Sequence, residues 1–384
     1  MYSKHGIYLD NASTSYPKPA SVAEAVYQFI VHAGSNPSRG CYPSALDSSE
    51  LLLSARQKIA SLFGSTDLKA VVFTSGVTAA LNLLIKGKWK QGDHLLVTSL
   101  EHNSVMRPIV GSGIDYSCIP CDRFGNTLFD KATDLLTDQT KGMVLTQASN
   151  VFGTITDIDK AKDFCKEHHL DLVVDTAQGY PSANLTLDGI SAIAFAGHKG
   201  LMGPMGTGGI VSSEAFLSQL EPLLCGGTGS ASDLLTMPGF LPDRLEAGTM
   251  NLPGIAGLLA AIEEQDKIVN GVHQKDLWKQ QTKKVTGRLL EGLLHINKVR
   301  LYGKQTTDGR SPAVSFTIDG QDPAQTALLL NDRKIELRVG LHCSPLAHKS
   351  MGTFPSGTIR LSPGPFTTLD EIEQALKAIG EIAQ

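Results

Sequence analysis

At 384 residues and 41% hydrophobic content, the chain is long enough to bury a large core and to divide into two domains. A formal net charge of −4, from 34 basic and 38 acidic side chains, gives no basic field for nucleic acid, and no run approaches the roughly 18 uncharged apolar residues of a membrane span. The segment "MYSKHGIYLDNAST" lacks an apolar stretch followed by a small-residue cleavage site, so a cytoplasmic location is expected, in which the six cysteines are thiols rather than a disulfide framework.

In chain order, "ALDSSELLLSARQKIASLF" places Leu52, Ala55, Ile59 and Leu62 at helical spacing. Short apolar runs follow: "AVVFT" (70–74), "HLLVTS" (94–99), "GMVLTQ" (142–147), "DLVVDT" (171–176), "AIAFAG" (192–197) and "GTGGIVS" (206–212), with amphipathic stretches between them. That alternation predicts an α/β domain with a mainly parallel sheet. "CIPC" (118–121) falls on a predicted strand with no second cysteine or histidine pair nearby, so no metal site is expected. From about residue 255 the pattern changes to one long helical tract through "GLLAAIEEQDKIVNGV" and "TKKVTGRLLEGLLHI". Strands return at "AVSFTI" (313–318) and "TIRLS" (358–362), and "LDEIEQALKAIGEIA" reads as a closing amphipathic helix with an acidic first turn. These elements predict a second domain.

Ligands of open parallel sheets bind beyond the carboxyl ends of the strands, and here those ends carry "SGVT" (75–78), "EHNS" (101–104), "SNVFGT" (149–154), "DTAQ" (175–178) and "HK" (198–199). A lysine ending a buried strand is costly, but an amine there can form a Schiff base with the aldehyde of pyridoxal phosphate. The amides around Gly76 and Val77 and the Thr78 hydroxyl can cradle a phosphate. Asp175 can hold a pyridine nitrogen protonated, and His102 can lie flat on a ring. Singly, each has a bland reading as turn, helix cap, core histidine or solvated lysine; the ordered set is harder to dismiss.

Taken together, "YLDNASTSYPKP", "SGVTAALNL", "EHNSVMRP", "SNVFGTI", "VDTAQ", "GHKGLMGPMGTGG", "DRLEAGTMN", "RVGLHCSPLAH" and "IRLSPGPF" resemble the fold type I pyridoxal phosphate enzymes of the class V aminotransferase group, and most closely the cysteine desulfurases. The resemblance implies a large cofactor domain (15–255) built on a mainly parallel seven-stranded sheet. It also implies a smaller α+β domain, made of 1–14 and 256–384, that carries the catalytic-cysteine segment. It makes Lys199 the cofactor lysine and proton carrier, with His198, Gly76, Val77 and Thr78 at the phosphate, Asp175 on the pyridine nitrogen, Gln178 on the phenolic oxygen and His102 stacked on the ring. Asn150 and Arg360, helped by Arg39 and Arg338, would take the substrate carboxylate. Thr249 would reach the phosphate of a neighbouring subunit, which implies a homodimer. Two positions depart from the pattern. Ala196 stands where a phosphate-binding hydroxyl is usual, a loss of roughly 1.5–3 kcal/mol unless another donor substitutes, and Ser38 stands where a histidine is frequent.

The resemblance assigns Cys343 as the thiol that attacks the substrate sulfur, converting L-cysteine to L-alanine and leaving a persulfide for a sulfur-acceptor protein. His342 and Arg338 are expected to lower the Cys343 pKa. Selenocysteine is a second candidate substrate. The alternatives are a C–S β-lyase that releases pyruvate and does not depend on Cys343, and a cofactor-binding scaffold without turnover. A transaminase is disfavoured, because nothing singles out a second amino-acid half-reaction.

Overall fold

The computed structural model describes residues 6–37 and 40–384. Its larger sheet has seven strands, β1 (Val71–Thr74), β2 (His94–Thr98), β3 (Asp115–Ile119), β4 (Thr140–Thr146), β5 (Asp171–Asp175), β6 (Ala192–Ala196) and β7 (Gly208–Ser212), in the spatial order β1-β7-β6-β5-β4-β2-β3. Only β7 runs against the others, pairing antiparallel with both β1 and β6. The sheet is therefore mainly parallel, as expected.

Alternate residues of each central strand enter different cores, which explains the continuous apolar runs. Phe73, Leu96, Met143, Leu145, Val174 and Phe195 pack on the face covered by the helices Pro43–Leu62, Ile158–Glu167 and Leu252–Asp266. Val72, Val97, Val144, Val173 and Ala194 pack on the face covered by Val77–Lys88 and Asn103–Gly111.

A second sheet, antiparallel throughout, comprises β8 (Val299–Tyr302), β9 (Val314–Ile318), β10 (Arg338–Gly340) and β11 (Thr358–Leu361) in the order β8-β9-β11-β10. The helices Gln274–Leu294 and Leu369–Ile382 close its core through Leu289, Leu293, Ile372 and Ile379. Leu9 packs into the same core, and Ile7–Tyr8 pairs in parallel with Ile335–Glu336. The N-terminal segment is thus fastened to the far end of the chain.

The tract after residue 255 is not one helix. It breaks after Asp266 into a hairpin, Ile268–Val269 against Val272–His273, before the helix Gln274–Leu294 begins. Asn270 (φ 51°) and Gly271 (φ 80°) occupy its turn, both in the left-handed region that two-residue hairpins require. The helix Leu252–Asp266 buries Ile255, Leu258 and Ile262 against the large sheet, so position 255/256 falls within a helix of that core.

Candidate active site

Polar residues converge where the carboxyl ends of β1, β2, β4, β5 and β6 face the second sheet. Lys199 lies three residues beyond β6. Burial lowers its pKa from 10.5 to about 8; Asp175 and Cys343 oppose that shift, while Arg360 and Arg338 add to it. All four groups are therefore within electrostatic reach of the amine. Asp175, the last residue of β5, is 4% exposed and accepts from the Ala177 amide at 2.9 Å. Burial raises its pKa, against the pull of that amide and of Lys199.

The peptide linking His198 to Lys199 is held from the N-terminal segment. The His198 carbonyl lies within hydrogen-bond distance of Ser15 N (3.2 Å), Ser15 Oγ (3.1 Å), Thr14 Oγ1 (3.2 Å) and Lys18 Nζ (3.1 Å). The His198 ring meets Thr14 Oγ1 through Nδ1 at 3.1 Å, and burial, with Lys199 and Lys18 nearby, brings its pKa down to about 4. Gln178 donates from its amide to the Ala12 carbonyl at 2.7 Å. A cavity of about 340 Å³ runs from Lys199 and Gln178 past Tyr180 and Met202 to Trp278; Cys343, His102 and Arg360 do not line it.

Beyond β1 the chain turns at Gly76, whose φ of 145° suits only glycine, and enters the helix Val77–Lys88, whose N-terminus is capped by no side chain among the described residues. Thr78 Oγ1 stands 2.8 Å from Ser104 Oγ, and Ser104 Oγ is 2.9 Å from His102 Nδ1. The Ser104 backbone N–H also donates to His102 Nδ1 at 3.0 Å. That bond makes Nδ1 an acceptor and leaves the ring proton on Nε2. Burial, then Lys199, Arg107 and Arg360, lower the His102 pKa to about 4, so the ring is neutral.

Arg360, in β11, is 2% exposed and donates to Asn150 O (2.9 Å), Ser13 Oγ (2.9 Å) and Asp10 Oδ1 (3.0 Å), while its Nε has no partner among the described residues. Arg338, cross-strand from Arg360, binds the other oxygen of Asp10 at 3.1 Å. Asp10 and Ser104 both lie in motifs legible in the sequence, "YLDNAST" and "EHNS", but without a spacing signal that marked them.

Cys343 is exposed. It and His342 take φ of 59° and 48°, two successive residues in a region that L side chains avoid. Asn150 secures both flanks: its Nδ2 donates to the His342 carbonyl (2.6 Å) and its Oδ1 accepts from Ser344 Oγ (2.7 Å). The Asn103 amide donates to the Cys343 carbonyl at 2.7 Å. The expectation that His342 supplies positive charge to Cys343 is corrected. The ring turns away to Thr358, and burial, with Arg360 and His348 nearby, holds its pKa well below 6.5.

Thr249 is exposed and lines a surface cavity with Ser75 and Gly208 beside the Gly76 turn. Arg39 and Ser38 lie outside the described residues. Cys118 is on β3 and Cys121 beyond it, bridged to Thr127. Among the described residues no group of three His, Cys, Asp or Glu side chains is arranged to hold a metal, and no helix is long and apolar enough to cross a membrane.

A family model described as aminotransferase class-V matches residues 7–375. The chain belongs to the class V aminotransferase family. Its relatives within this family include probable cysteine desulfurases of Methanothermobacter thermautotrophicus and Pyrococcus abyssi, each 30% identical over 98% of this chain and 94% of the relative. The apo structure of a cysteine desulfurase from Thermococcus onnurineus superposes with a TM-score of 0.89 at 29% identity, covering 98% of this chain and 94% of that one. A cysteine desulfurase from Escherichia coli in its S-sulfonic acid form gives 0.84 at 26% identity, covering 98% and 94%. The fold is that of the fold type I enzymes, and pyridoxal phosphate is the cofactor of the class V family. The site fits it: a buried amine with a lowered pKa, a buried carboxylate and an uncapped helix N-terminus with a hydroxyl match an aldehyde, a pyridine nitrogen and a phosphate.

Proposed function

We propose that this class V aminotransferase family member is a cysteine desulfurase that converts L-cysteine to L-alanine and carries the sulfur as a persulfide on Cys343. The observation that carries this reading is the Cys343 turn. Two consecutive left-handed residues cost roughly 1–2 kcal/mol each, yet they are fixed from both sides by Asn150 and from above by the Asn103 amide, within electrostatic reach of Lys199. Strain held in this way is characteristic of functional positions.

Lys199, His198, Asp175 and Gln178 would hold the cofactor, with its phosphate at Gly76, Val77 and Thr78. Bound there, pyridoxal phosphate supplies an electron sink for the substrate α-carbon. The Arg360 guanidinium, with Asn150 beside it and Arg338 nearer the surface, binds the α-carboxylate. Lys199, with a pKa near 8, takes a proton from the α-carbon and returns it. His102, held neutral and fixed through Nδ1 by the Ser104 N–H, would stack on the cofactor ring. Cys343 Sγ attacks the substrate sulfur: the S–S bond forms as the Cβ–S bond breaks, its electron pair stays with carbon, and that carbon takes up a proton to give alanine.

Selenocysteine is accepted by the same arrangement. The boundary between the two domains, expected after residue 255, is drawn instead beyond Asp266, because the helix Leu252–Asp266 packs in the large-sheet core; a homodimer is formed in which Thr249 reaches the neighbouring site, and a sulfur-acceptor protein removes the persulfide. Exposed Tyr27, Ile30, Val31 and Leu224 support the dimer.

The test identifies the product from L-cysteine and a thiol reductant, for the native chain and for Cys343→Ala. Alanine with sulfide, lost in the variant, is expected. Pyruvate and ammonia, unchanged by the substitution, would mean a C–S β-lyase and overturn the proposal.

A further inference from the structure

By the resemblance, Ala196 leaves the proposed phosphate cradle one hydroxyl short, and the structure holds another hydroxyl, that of Ser104, near its edge. Ala196 pairs with Gly208 across the sheet, and a Cβ on Gly208 would lie 2.7 Å from Gly76 Cα, so position 196 borders the turn that opens the helix Val77–Lys88. Ser104 arrives from the neighbouring helix, Asn103–Gly111. It is 6% exposed, and its Oγ lies 2.8 Å from Thr78 Oγ1.

Either hydroxyl can donate in the Ser104–Thr78 contact, and the His102 contact favours one direction. The Ser104 N–H already serves the Nδ1 lone pair of His102, so the Ser104 hydroxyl proton can go to Thr78 Oγ1. With its oxygen accepting from Ser104, Thr78 would direct its own proton outward at the helix N-terminus. A hydroxyl that accepts one hydrogen bond is a stronger donor for the next. The opposite polarity would turn Thr78's proton inward and present only lone pairs to an anion.

We propose that Ser104 is a positioning residue that aims the Thr78 proton at the cofactor phosphate and so compensates for the hydroxyl missing at Ala196. The inference rests on the cofactor placement given above, with the phosphate at Gly76, Val77 and Thr78. Its ligand chemistry is a phosphate monoester, and it predicts a phosphate-specific contribution that passes entirely through Thr78.

The experiment strips the full-length chain of cofactor and titrates it with pyridoxal phosphate and with pyridoxal, which lacks the phosphate, following tryptophan fluorescence and cofactor absorbance. Ser104→Ala should raise the Kd for pyridoxal phosphate roughly 10- to 100-fold, as expected for a lost hydrogen bond in a charged site, and leave pyridoxal affinity unchanged. In a Thr78→Val background, Ser104→Ala should add nothing, and Ala196→Ser should restore much of the affinity lost in Ser104→Ala. Should Ser104→Ala fail to fold, Ser104→Cys, of similar volume and weaker donor strength, is read in its place.

Equal losses for pyridoxal, or a full loss persisting on Thr78→Val, would overturn the inference, since Ser104 would then act through packing. No change in Ser104→Ala while Thr78→Val weakens phosphate binding would overturn it and leave the cradle standing. Indifference of pyridoxal phosphate affinity to both substitutions would remove the cradle itself.

Discussion

The backbone N–H of Asn103 donates to the carbonyl of Cys343 at 2.7 Å, joining the residue after the proposed ring-stacking His102 to the proposed nucleophile across 240 residues of sequence. Asn103 is the first residue of its helix, where proline is well tolerated and only the N–H is lost. His102, at φ −77° and ψ 155°, already has the extended conformation required before proline. Asn103→Pro should therefore leave the melting temperature within about 2 °C, since one hydrogen bond is worth roughly 1 kcal/mol. It should lower desulfurase kcat several-fold and speed alkylation of Cys343. An unchanged kcat and alkylation rate would show that the contact does not hold the thiol in place.

Asp10 bridges two arginines, and the two contacts differ in weight. Arg338 is half-exposed, and its pair contributes little; Arg360 is almost wholly buried and depends on Asp10 for its only carboxylate contact among the described residues. Asp10→Ala should cost roughly 3 kcal/mol of stability through the uncompensated guanidinium and raise KM for L-cysteine at least several-fold. Chemical denaturation and steady-state kinetics measure the two effects. A stability loss below about 1 kcal/mol would mean that the carbonyl and hydroxyl contacts of Arg360 suffice.

The lowered pKa of Lys199 sets a pH profile. An amine captures an aldehyde only when neutral, so in the cofactor-free chain the capture rate should rise with pH and level off above about pH 8, rather than climbing toward 10.5. Burial is the main cause, with Arg360 and Arg338 adding to it. Replacing Arg338 by Met should move the midpoint upward slightly, while Asp175→Asn, which removes an opposing carboxylate, should move it downward. Stopped-flow absorbance against pH reads all three. A midpoint near 10 would show that the amine is solvated in the empty site.

The central strands were legible because burial on both faces writes continuous apolar runs, as in "DLVVDT" and "AIAFAG". The edge strand Val299–Tyr302 left no comparable trace, because none of its side chains is fully buried. The hairpin at Asn270 and Gly271 carried the signal of its turn, but Ile268 and Val269 could be read into the helical period on either side. Lys199 and Asp175 were legible as polar residues closing buried strands. Asp10 was not, since its partners lie 328 and 350 residues away and no local spacing records them. His342 shows the converse: it adjoins Cys343 in sequence, yet burial, which sequence adjacency does not encode, removes its charge.

The tie between Asp10 and Arg360 also has a temporal meaning. During synthesis, β1 to β7 can leave the ribosome and assemble while β11 does not yet exist. The N-terminal segment that grips the His198 carbonyl must wait, unpaired, for Ile335–Glu336 and Arg360 to emerge. The proposed carboxylate site is thus completed only by the last tenth of the chain, and a truncated nascent product, even with its large sheet intact, carries Lys199 without the Arg360 proposed to receive the substrate.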